Sequence, residues 1–477
     1  MPRRTKIIAT LGPATDDESA IESLIRAGID LVRINFSHGA LTDHQRRVNA
    51  VRECAASLGR AVGILGDLQG PKIRITRFQN GCIQLEPGQK FVLDAGPSEF
   101  EGSQEIAGVD YKQLPEDVNQ GDFLQLDDSR VELHVDRVDD LRIVCTVKTG
   151  GELSDNKSIN RKGGGLSAGA LTAMDHEALK AAAAMQVDYI AVSFVGHASD
   201  IRTTRKILNE VNATAGIIAK IERSEAIEAV DDIIQASDGV MIARGDLGVE
   251  IGDAEVPAIQ KQIIERARSL DKPVITATQM MESMIQSPVP TRAEVSDVAN
   301  AVIDGTDAVM LSGETAVGRY PEKIITAVER VCLAAERQPS TSISKHRLDR
   351  RFKRVDEAIS MSAMYAANHL DIKAIVALTE SGSTPLWMSR IRTAIPIFGL
   401  SRHSESLGKM TLYRNVYPLF FDVTRYQRDE IKREAITVFE RRGLLNTGDM
   451  AIITKGDQDG VYGVTNAMKI VEVGQVV

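Results

Sequence analysis

The sequence predicts an α/β protein built on an eight-stranded (β/α)8 barrel, with a small antiparallel β-barrel domain inserted into it and a C-terminal open α/β domain. Three observations predict this. Short β-rich apolar runs alternate with helix-length stretches through most of the first 340 residues. About a hundred residues between the third and fourth runs change to period-two alternation between Gly, Pro, Asn and Asp turn signals. From about 340 a polar, unpatterned stretch precedes a renewed alternation of helices and strands.

The barrel strands are expected, in order, at 6–12, 30–38, 62–68, 189–194, 216–222, 239–246, 273–279 and 308–314. Seven of the eight runs are apolar until their last residues, as parallel strands buried on both faces require. Stretches such as "DESAIESLIRAG" and "TRAEVSDVANAVIDG" carry the helical spacing that closes each β/α unit. The insertion supplies "KIRITRF", "GCIQL", "KFVLDA", "FLQLDD", "RVELHV" and "LRIVCTV". It leaves the barrel at a strand's C-terminal end, so it emerges on the face where such barrels carry function and can act as a lid. The C-terminal strands are expected at "AIVALT", "IPIFGLS", "VYPLFF" and "DMAIIT", after the linker "RQPSTSISKHRLDRR". The divisions are 1–70 and 169–340 for the barrel, 71–168 for the lid and 341–477 for the C-terminal domain.

A formal charge of −9 with both signs interspersed argues against a nucleic-acid or membrane-surface partner. Cys54, Cys82, Cys145 and Cys332 lie far apart, with neither a CxxC pair nor a Cys/His cluster, so neither zinc nor a disulfide framework is indicated. The start "MPRRTKIIATLGPATDD" fails as a signal peptide, and a cytoplasmic location is the expectation.

Polar residues concentrate where the strands are expected to end. The second run ends in Arg33, Asn35, Ser37 and His38, the third in Asp67, and the fifth in Lys220 and Glu222. The sixth ends in Arg244, Gly245 and Asp246, and the seventh in Thr278 and Gln279. Glu222 and Asp246, at the mouths of adjacent strands, suit one hard divalent cation completed by substrate oxygens and water. Taken alone, two such carboxylates more often describe surface ion-pair partners. Lys220 sits two residues before Glu222, hence on the same side of a strand, and puts a cation beside a metal ligand. That combination neutralises a phosphoryl group in flight. Arg33 offers a fork for phosphate or carboxylate, or a structural ion pair. Thr278 offers a hydroxyl for a carboxylate or a proton relay, or for local backbone. His38 could serve as a base, but a helix-capping or merely polar histidine is the plainer reading.

"RINFSHG", "GDLQGPKIR", "AKIERSEAI", "MIARGDLGVEI", "PVITATQMMESM" and "PTRAEVSDVANAVIDGTDAVMLSGETAVGRYP" resemble, in order and along essentially the whole chain, the pyruvate kinase family. The resemblance implies phosphoryl transfer from phosphoenolpyruvate to ADP, giving pyruvate and ATP, with Mg2+, or Mn2+ in its place, held by Glu222 and Asp246. It implies that Lys220 stabilises the transferring phosphoryl group, that Arg33 contacts phosphate, and that Gly245, Asp246 and Thr278 hold the substrate carboxylate region. Asn35, His38, Arg74 and Lys157 match nucleotide-site residues. Thr278, with water and Ser312, is the candidate relay that protonates the enolate.

The C-terminal segment resembles the family's regulatory domain. Thr379, Ser381, Gly382, Ser383 and Thr384 match a loop for the phosphate of a phosphorylated metabolite effector, and a homotetramer is expected. Many relatives carry a cation where Ser383 stands. Asn35, Ser37, Asp67 and the Leu68 carbonyl match a K+ site, yet the glutamate expected beside it is Lys72. K+ is therefore expected to be dispensable, the Lys72 ammonium supplying the single charge. A catalytically silent metabolite sensor and a barrel lyase acting through Mg2+ and an enolate are the alternatives. Retention of Lys220, Glu222, Asp246, Arg33 and Thr278 disfavours the first, and Arg74 and Lys157 disfavour the second.

Overall fold

The computed structural model describes residues 2–96, 101–127, 129–342, 351–457 and 465–475. Eight strands close into a parallel barrel: β1 (Lys6–Thr10), β2 (Leu31–Asn35), β3 (Gly63–Asp67), β4 (Tyr189–Val192), β5 (Gly216–Ile221), β6 (Gly239–Ala243), β7 (Val274–Ala277) and β8 (Ala308–Leu311). The pairing of β1 with β8, Lys6 opposite Ala308, seals the ring.

Alternate residues of each strand serve different cores, as the period of two demands. Ile7, Val32, Ile64, Ile217 and Val309 face the surrounding helices. Ile8, Leu31, Leu65, Tyr189, Ile218, Met241, Ile275 and Met310 join a second cluster that continues into Ile375, Ile397 and Met410 of the C-terminal domain. The lower mouth of the barrel is thus stoppered by that domain. The helix Arg292–Asp304 shows how sharply local chemistry sets an end: Thr291 and Glu294 form a reciprocal capping box, and Gly305 closes the helix at φ 104°.

All eight expected barrel runs are strands, but each expected C-terminal boundary overshoots. The polar tails leave the ladder, and Arg244, Gly245 and Asp246 open the helix Arg244–Ile251 instead. Thr278 and Gln279 adopt φ values of 65° and 52°, outside any strand.

In the insertion, five of the six expected runs form strands, whereas "KIRITRF" makes only isolated bridges. Those bridges matter. A six-stranded sheet runs from Ile159–Arg161 at one edge to Ile106–Gly108 at the other. Arg74 bridges Ser158 beside the first edge, and Ile75 bridges Val109 beside the second, so the segment stitches the sheet round on itself. Its backbone confirms the seam: Ile75 N donates to the Lys157 carbonyl and Thr76 N to that of Gly108, both at 2.9 Å.

The C-terminal sheet has the order Val416–Phe420, Ile397–Ser401, Ile372–Leu378, Met450–Gly456, Thr465–Glu472, with the last strand antiparallel. That fifth strand was not expected, because it is a largely exposed edge in which polar and apolar residues are equally mixed. Residues 343–350 of the expected linker lie outside the described residues.

Where this domain meets the barrel, Arg390 and Asp307 form a fully buried ion pair. Asp307 also accepts from Val274 N and Arg414 N, both at 3.0 Å. Burial alone would raise the Asp307 carboxyl, but Arg390 and these hydrogen bonds outweigh it and hold it below the usual range. Replacing Arg390 by Met leaves a buried carboxylate unpaired, and should lower the denaturant-measured stability by roughly 3–5 kcal/mol. Because the folded Asp307 is depressed, its contribution is present above its unfolded value of about 4 and fades as pH falls through the lower folded value. Arg390→Met should flatten that acid limb of the stability curve.

Candidate active site

The C-terminal ends of β2, β3, β4 and β5 bring together a compact set of charges. Arg33 Nε lies 2.6 Å from Asp67 Oδ2. Lys220 Nζ lies 2.9 Å from Glu222 Oε1 and 3.4 Å from Asp67 Oδ1. Register explains this: Arg33 and Asn35 lie on β2 opposite Leu65 and Asp67 on β3. All four charged groups are withdrawn from water, Asp67 fully and Glu222 to 1% exposure.

Burial alone would neutralise this cluster, so each group's state depends on its neighbours. Burial would lower Lys220, but Asp67 and Glu222 outweigh it and hold it firmly protonated. Burial raises Asp67, but Lys220 and Arg33 overcome that and keep it ionised. Glu222 is pushed up by burial and by the charge of Asp246, against the pull of Lys220. Glu222 Oε2 accepts from Phe194 N at 2.7 Å, while Oε1 is buried without a hydrogen-bond donor despite the nearby ammonium.

That oxygen and the neighbouring Asp246 carboxylate fit a divalent cation. Both are hard oxygen donors, they repel one another, and a cation between them would relieve the repulsion. Among the described residues no group of three or more such ligands occurs, so protein alone would not complete the shell.

Two further residues, not among the sequence candidates, bind the cluster to the frame. Ser193 accepts from Lys220 Nζ and donates to the Leu68 carbonyl, both at 2.7 Å. Thr10 Oγ1 accepts from Arg33 Nη1 at 3.2 Å and donates to the Leu311 carbonyl at 2.7 Å. Each is the first hydroxyl after an apolar strand run, a signal that was available.

Beyond the cluster, Lys72 Nζ reaches Asp246 Oδ1 at 3.3 Å. Thr278 Oγ1 accepts from Gly245 N at 2.9 Å and donates to the Ala277 carbonyl at 2.7 Å. Its left-handed backbone, a strained conformation for a β-branched residue, is held by the buried Arg244, which donates to the Thr278 carbonyl at 2.6 Å and pairs with Asp297. Ser312 N donates to Glu314 Oε2 at 2.6 Å.

The remaining candidates fall into separate groups. On the barrel, Asn35 Oδ1 accepts from Ser37 N at 3.2 Å, and His38 is exposed. On the inserted domain, Arg74 donates to the Asn156 carbonyl at 2.8 Å and Lys157 pairs with Asp127 at 2.7 Å. In the C-terminal domain Thr379 Oγ1 accepts from Gly382 N at 2.9 Å, and the hydroxyls of Ser381 and Ser383 meet at 3.1 Å. Thr384 is fully buried against Thr465, so its hydroxyl is turned away from solvent.

Residues 2–325 match the family profile "Pyruvate kinase, barrel domain", and residues 357–471 match "Pyruvate kinase, alpha/beta domain". Pyruvate kinase II of Salmonella typhimurium is 54% identical over 475 residues, covering 99% of both chains. The chain belongs to the pyruvate kinase family.

A pyruvate kinase of Haemophilus influenzae is 51% identical over 465 residues, covering 96% of both chains. The crystal structure of a pyruvate kinase from Cryptosporidium parvum superposes with a TM-score of 0.90 at 32% identity, covering 98% of this chain and 96% of that one. As a pyruvate kinase the chain is a phosphotransferase that moves the phosphoryl group of phosphoenolpyruvate to ADP, and the family generally uses Mg2+. No helix among the described residues is long and apolar enough to cross a membrane.

In a pyruvate kinase whose Lys220 is steadied by Ser193, removing that hydroxyl frees the ammonium from one of its three partners. Ser193→Ala should cost about 1 kcal/mol of transition-state stabilisation, roughly a fivefold fall in kcat/KM, with Ser193→Thr recovering most of it. Steady-state rates of ADP-dependent pyruvate formation check this.

Proposed function

We propose that the cluster at the mouths of β2 to β7 divides the pyruvate kinase reaction among named residues. Lys220 meets the phosphoryl group as it leaves phosphoenolpyruvate, and Arg33 fixes a phosphate oxygen through its fork. Glu222 and Asp246 would hold Mg2+, or Mn2+ in its place, which when bound supplies charge neutralisation on the transferring oxygens. Gly245, Asp246 and Thr278 hold the carboxylate end of the substrate. Asn35 and His38 from the barrel and Arg74 and Lys157 from the inserted domain hold the nucleotide, so that closure of the lid completes its site and excludes water. Closure then favours transfer to ADP over hydrolysis.

The observation that carries this reading is the Lys220 ammonium, buried, protonated and 2.9 Å from Glu222. Its charge is already present where negative charge must pass, so no reorganisation is needed during transfer. After transfer, an enolate remains to be protonated. The Thr278 hydroxyl has one proton, which it donates to the Ala277 carbonyl and would have to release to serve with water and Ser312 as a relay.

The monovalent cation is the second part of the reading. Asp67 already takes Arg33 and Lys220, and the Leu68 carbonyl already takes Ser193. The Lys72 ammonium lies instead on Asp246. In this proposal Lys72 replaces the charge of K+ without entering the set Asn35, Ser37, Asp67 and Leu68. We further infer a homotetramer regulated by a phosphorylated metabolite at the loop Thr379 to Thr384.

Lys220→Met should reduce phosphoryl transfer by at least ~1000-fold while proton exchange into added pyruvate persists. Undiminished transfer in that variant would remove Lys220 from its role. Replacing K+ by a quaternary ammonium salt should change the wild-type rate by less than about twofold, whereas Lys72→Glu should make the rate depend on K+ by ~10-fold or more. Both are read in a coupled assay of initial rates.

A further inference from the structure

Beneath the loop that carries Asn35, Ser37 and His38 lies a histidine whose polar edge has nothing to bond. His44, on the first turn of the helix Leu41–Ser57, is 1% exposed. Both of its ring nitrogens are buried without a hydrogen-bond partner. A phenylalanine would fill the same space and leave no donor or acceptor dry, and an unpaired buried polar group is destabilising. An imidazole kept at such a place calls for a partner that this arrangement of the chain does not align with it.

The loop itself encloses the ring. Phe36 meets it edge-on, with ring centroids 5.1 Å apart at 72°. Gly39 lies against it as well: a Cβ there would stand 3.4 Å from His44 Cε1 and 3.8 Å from Nε2, and the φ of 89° favours glycine. Ser37 and His38 stand between these two contacts along the chain. Burial lowers the pKa of His44, as does the nearby Arg47 guanidinium, while Asp43 and the His38 backbone act the other way. A backbone group that favours the charged ring is an acceptor, so it is the His38 carbonyl that faces the imidazole. The ring is thus neutral, with one N–H beside one carbonyl and out of line for a hydrogen bond.

The loop is fixed at its ends and slack in its middle. Phe36 N donates to the Asp67 carbonyl at 2.9 Å, and the Phe36 ring fills the space over Gly66, where a Cβ would come within 2.9 Å of it. At the far end the Ala40 carbonyl accepts from Asp43 N and His44 N at 3.0 and 3.2 Å, which starts the helix. Between these anchors Ser37 N reaches Asn35 Oδ1 at 3.2 Å and His38 N reaches the Asn35 carbonyl at 3.4 Å, at and beyond the long end of N–H···O distances. A small shift of the His38 peptide would bring its carbonyl into line with a ring nitrogen while both ends stay in place.

We propose that His44 is a positioning residue for the nucleotide: when ADP engages the loop, a ring N–H of His44 donates to the His38 carbonyl and fixes the loop beneath the ligand. This rests on the reading of Asn35 and His38 as nucleotide-site residues. His44 is buried under the loop and acts through it, touching no substrate. A hydrogen bond that forms only with the nucleotide in place contributes to the affinity for ADP, because it favours the arrangement that binds. Such apo geometry, with the bond not yet aligned, is common at sites that tighten around a ligand. Lys220, Glu222 and Arg33 take no part in it, so the phosphoenolpyruvate side is unaffected.

The test is steady-state kinetics of the full-length enzyme, varying ADP at saturating phosphoenolpyruvate and the reverse, with thermal unfolding to show each variant folded. His44→Phe keeps a ring and removes both nitrogens. It should raise KM for ADP about fivefold, the effect of one hydrogen bond, and leave kcat and KM for phosphoenolpyruvate within about twofold. His44→Gln and His44→Asn carry amides that reach roughly where Nε2 and Nδ1 stand, and at least one of them should bring KM for ADP back toward the wild-type value. A purely space-filling His44 predicts the opposite order, with phenylalanine the best of the three. Hydrogen–deuterium exchange of residues 36–40 in the wild-type enzyme needs no variant: saturating ADP should slow it severalfold. An unchanged KM for ADP in His44→Phe, rescue by neither amide, or loop exchange indifferent to ADP would overturn the proposal. His38→Ala separates it from the reading beneath it. A KM for ADP raised in His38→Ala but unchanged in His44→Phe overturns the proposal alone, whereas a KM unchanged in both removes the loop from the nucleotide site and overturns both.

Discussion

Everything at the upper mouth of the barrel depends on keeping two cations and two carboxylates ionised out of water. A lone buried charge would shed or take up a proton, because desolvation costs several kcal/mol per ion even after relaxation. Asp67 lies between Arg33 and Lys220, and Lys220 lies between Asp67 and Glu222, so no charge stands alone. The set is neutral in sum but not at every atom: Glu222 Oε1 is left without a donor, next to a second carboxylate on Asp246. A cluster balanced internally yet short of one positive charge at its edge suits the divalent cation proposed above.

The barrel serves this cluster by holding β2, β3, β4 and β5 in fixed register, and the C-terminal domain serves the barrel by closing its other end. The second core cluster is continuous from Ile8 and Leu65 inside the ring to Ile375 and Ile397 outside it. Around that apolar plug runs a ring of polar anchors: Arg390 on Asp307, Lys6 on the Val416 carbonyl at 2.6 Å, and Tyr189 on the Lys409 carbonyl at 2.8 Å. Lys6 shows the tension in such a seam. Burial lowers its ammonium, against the attraction of Asp30. A domain joined in this way cannot shift without disturbing the starts of several barrel strands, and the opposite end of the same barrel carries the charge cluster.

How much of this was legible in the sequence differs with the kind of interaction. The eight barrel runs were legible because parallel strands buried on both faces leave continuous apolar blocks, and the pair Lys220 and Glu222 because period two puts them on one side. The strand ends were not legible, since residues such as Arg244 and Thr278 are polar whether they finish a strand, start a helix or sit at positive φ. Ser193 and Thr10 were passed over because a hydroxyl's role depends on which cation the fold brings to it. The segment "KIRITRF" reads as a strand because it alternates, yet it bridges two edges in single steps rather than running along either. The strand Thr465–Glu472 was hidden by being a solvent-facing edge.

The inserted domain returns to the barrel at a place that ties its position to the chemistry. Residues Gly163, Gly164 and Gly165 all take φ values between 77° and 87°, and a Cβ on Gly164 would lie 2.0 Å from Ser224 Oγ. The glycines therefore let the returning backbone lie directly on Ser224, Glu225 and Glu250: Gly163 N donates to the Glu250 carbonyl at 3.1 Å, and Gly165 N to Glu225 Oε1 at 2.6 Å. Arg223 donates to the Ala168 carbonyl at 3.1 Å and to that of Leu166. Glu222, the residue immediately before, is the buried carboxylate of the cluster. Burial pushes Glu250 up to about 7, so this seam is held by hydrogen bonds more than by charge, and such contacts can be exchanged for water at small net cost. If the inserted domain acts as the proposed lid, anchoring by exchangeable bonds beside Glu222 lets it open without pulling the charge cluster apart, which would separate substrate access from preservation of the cluster's electrostatics.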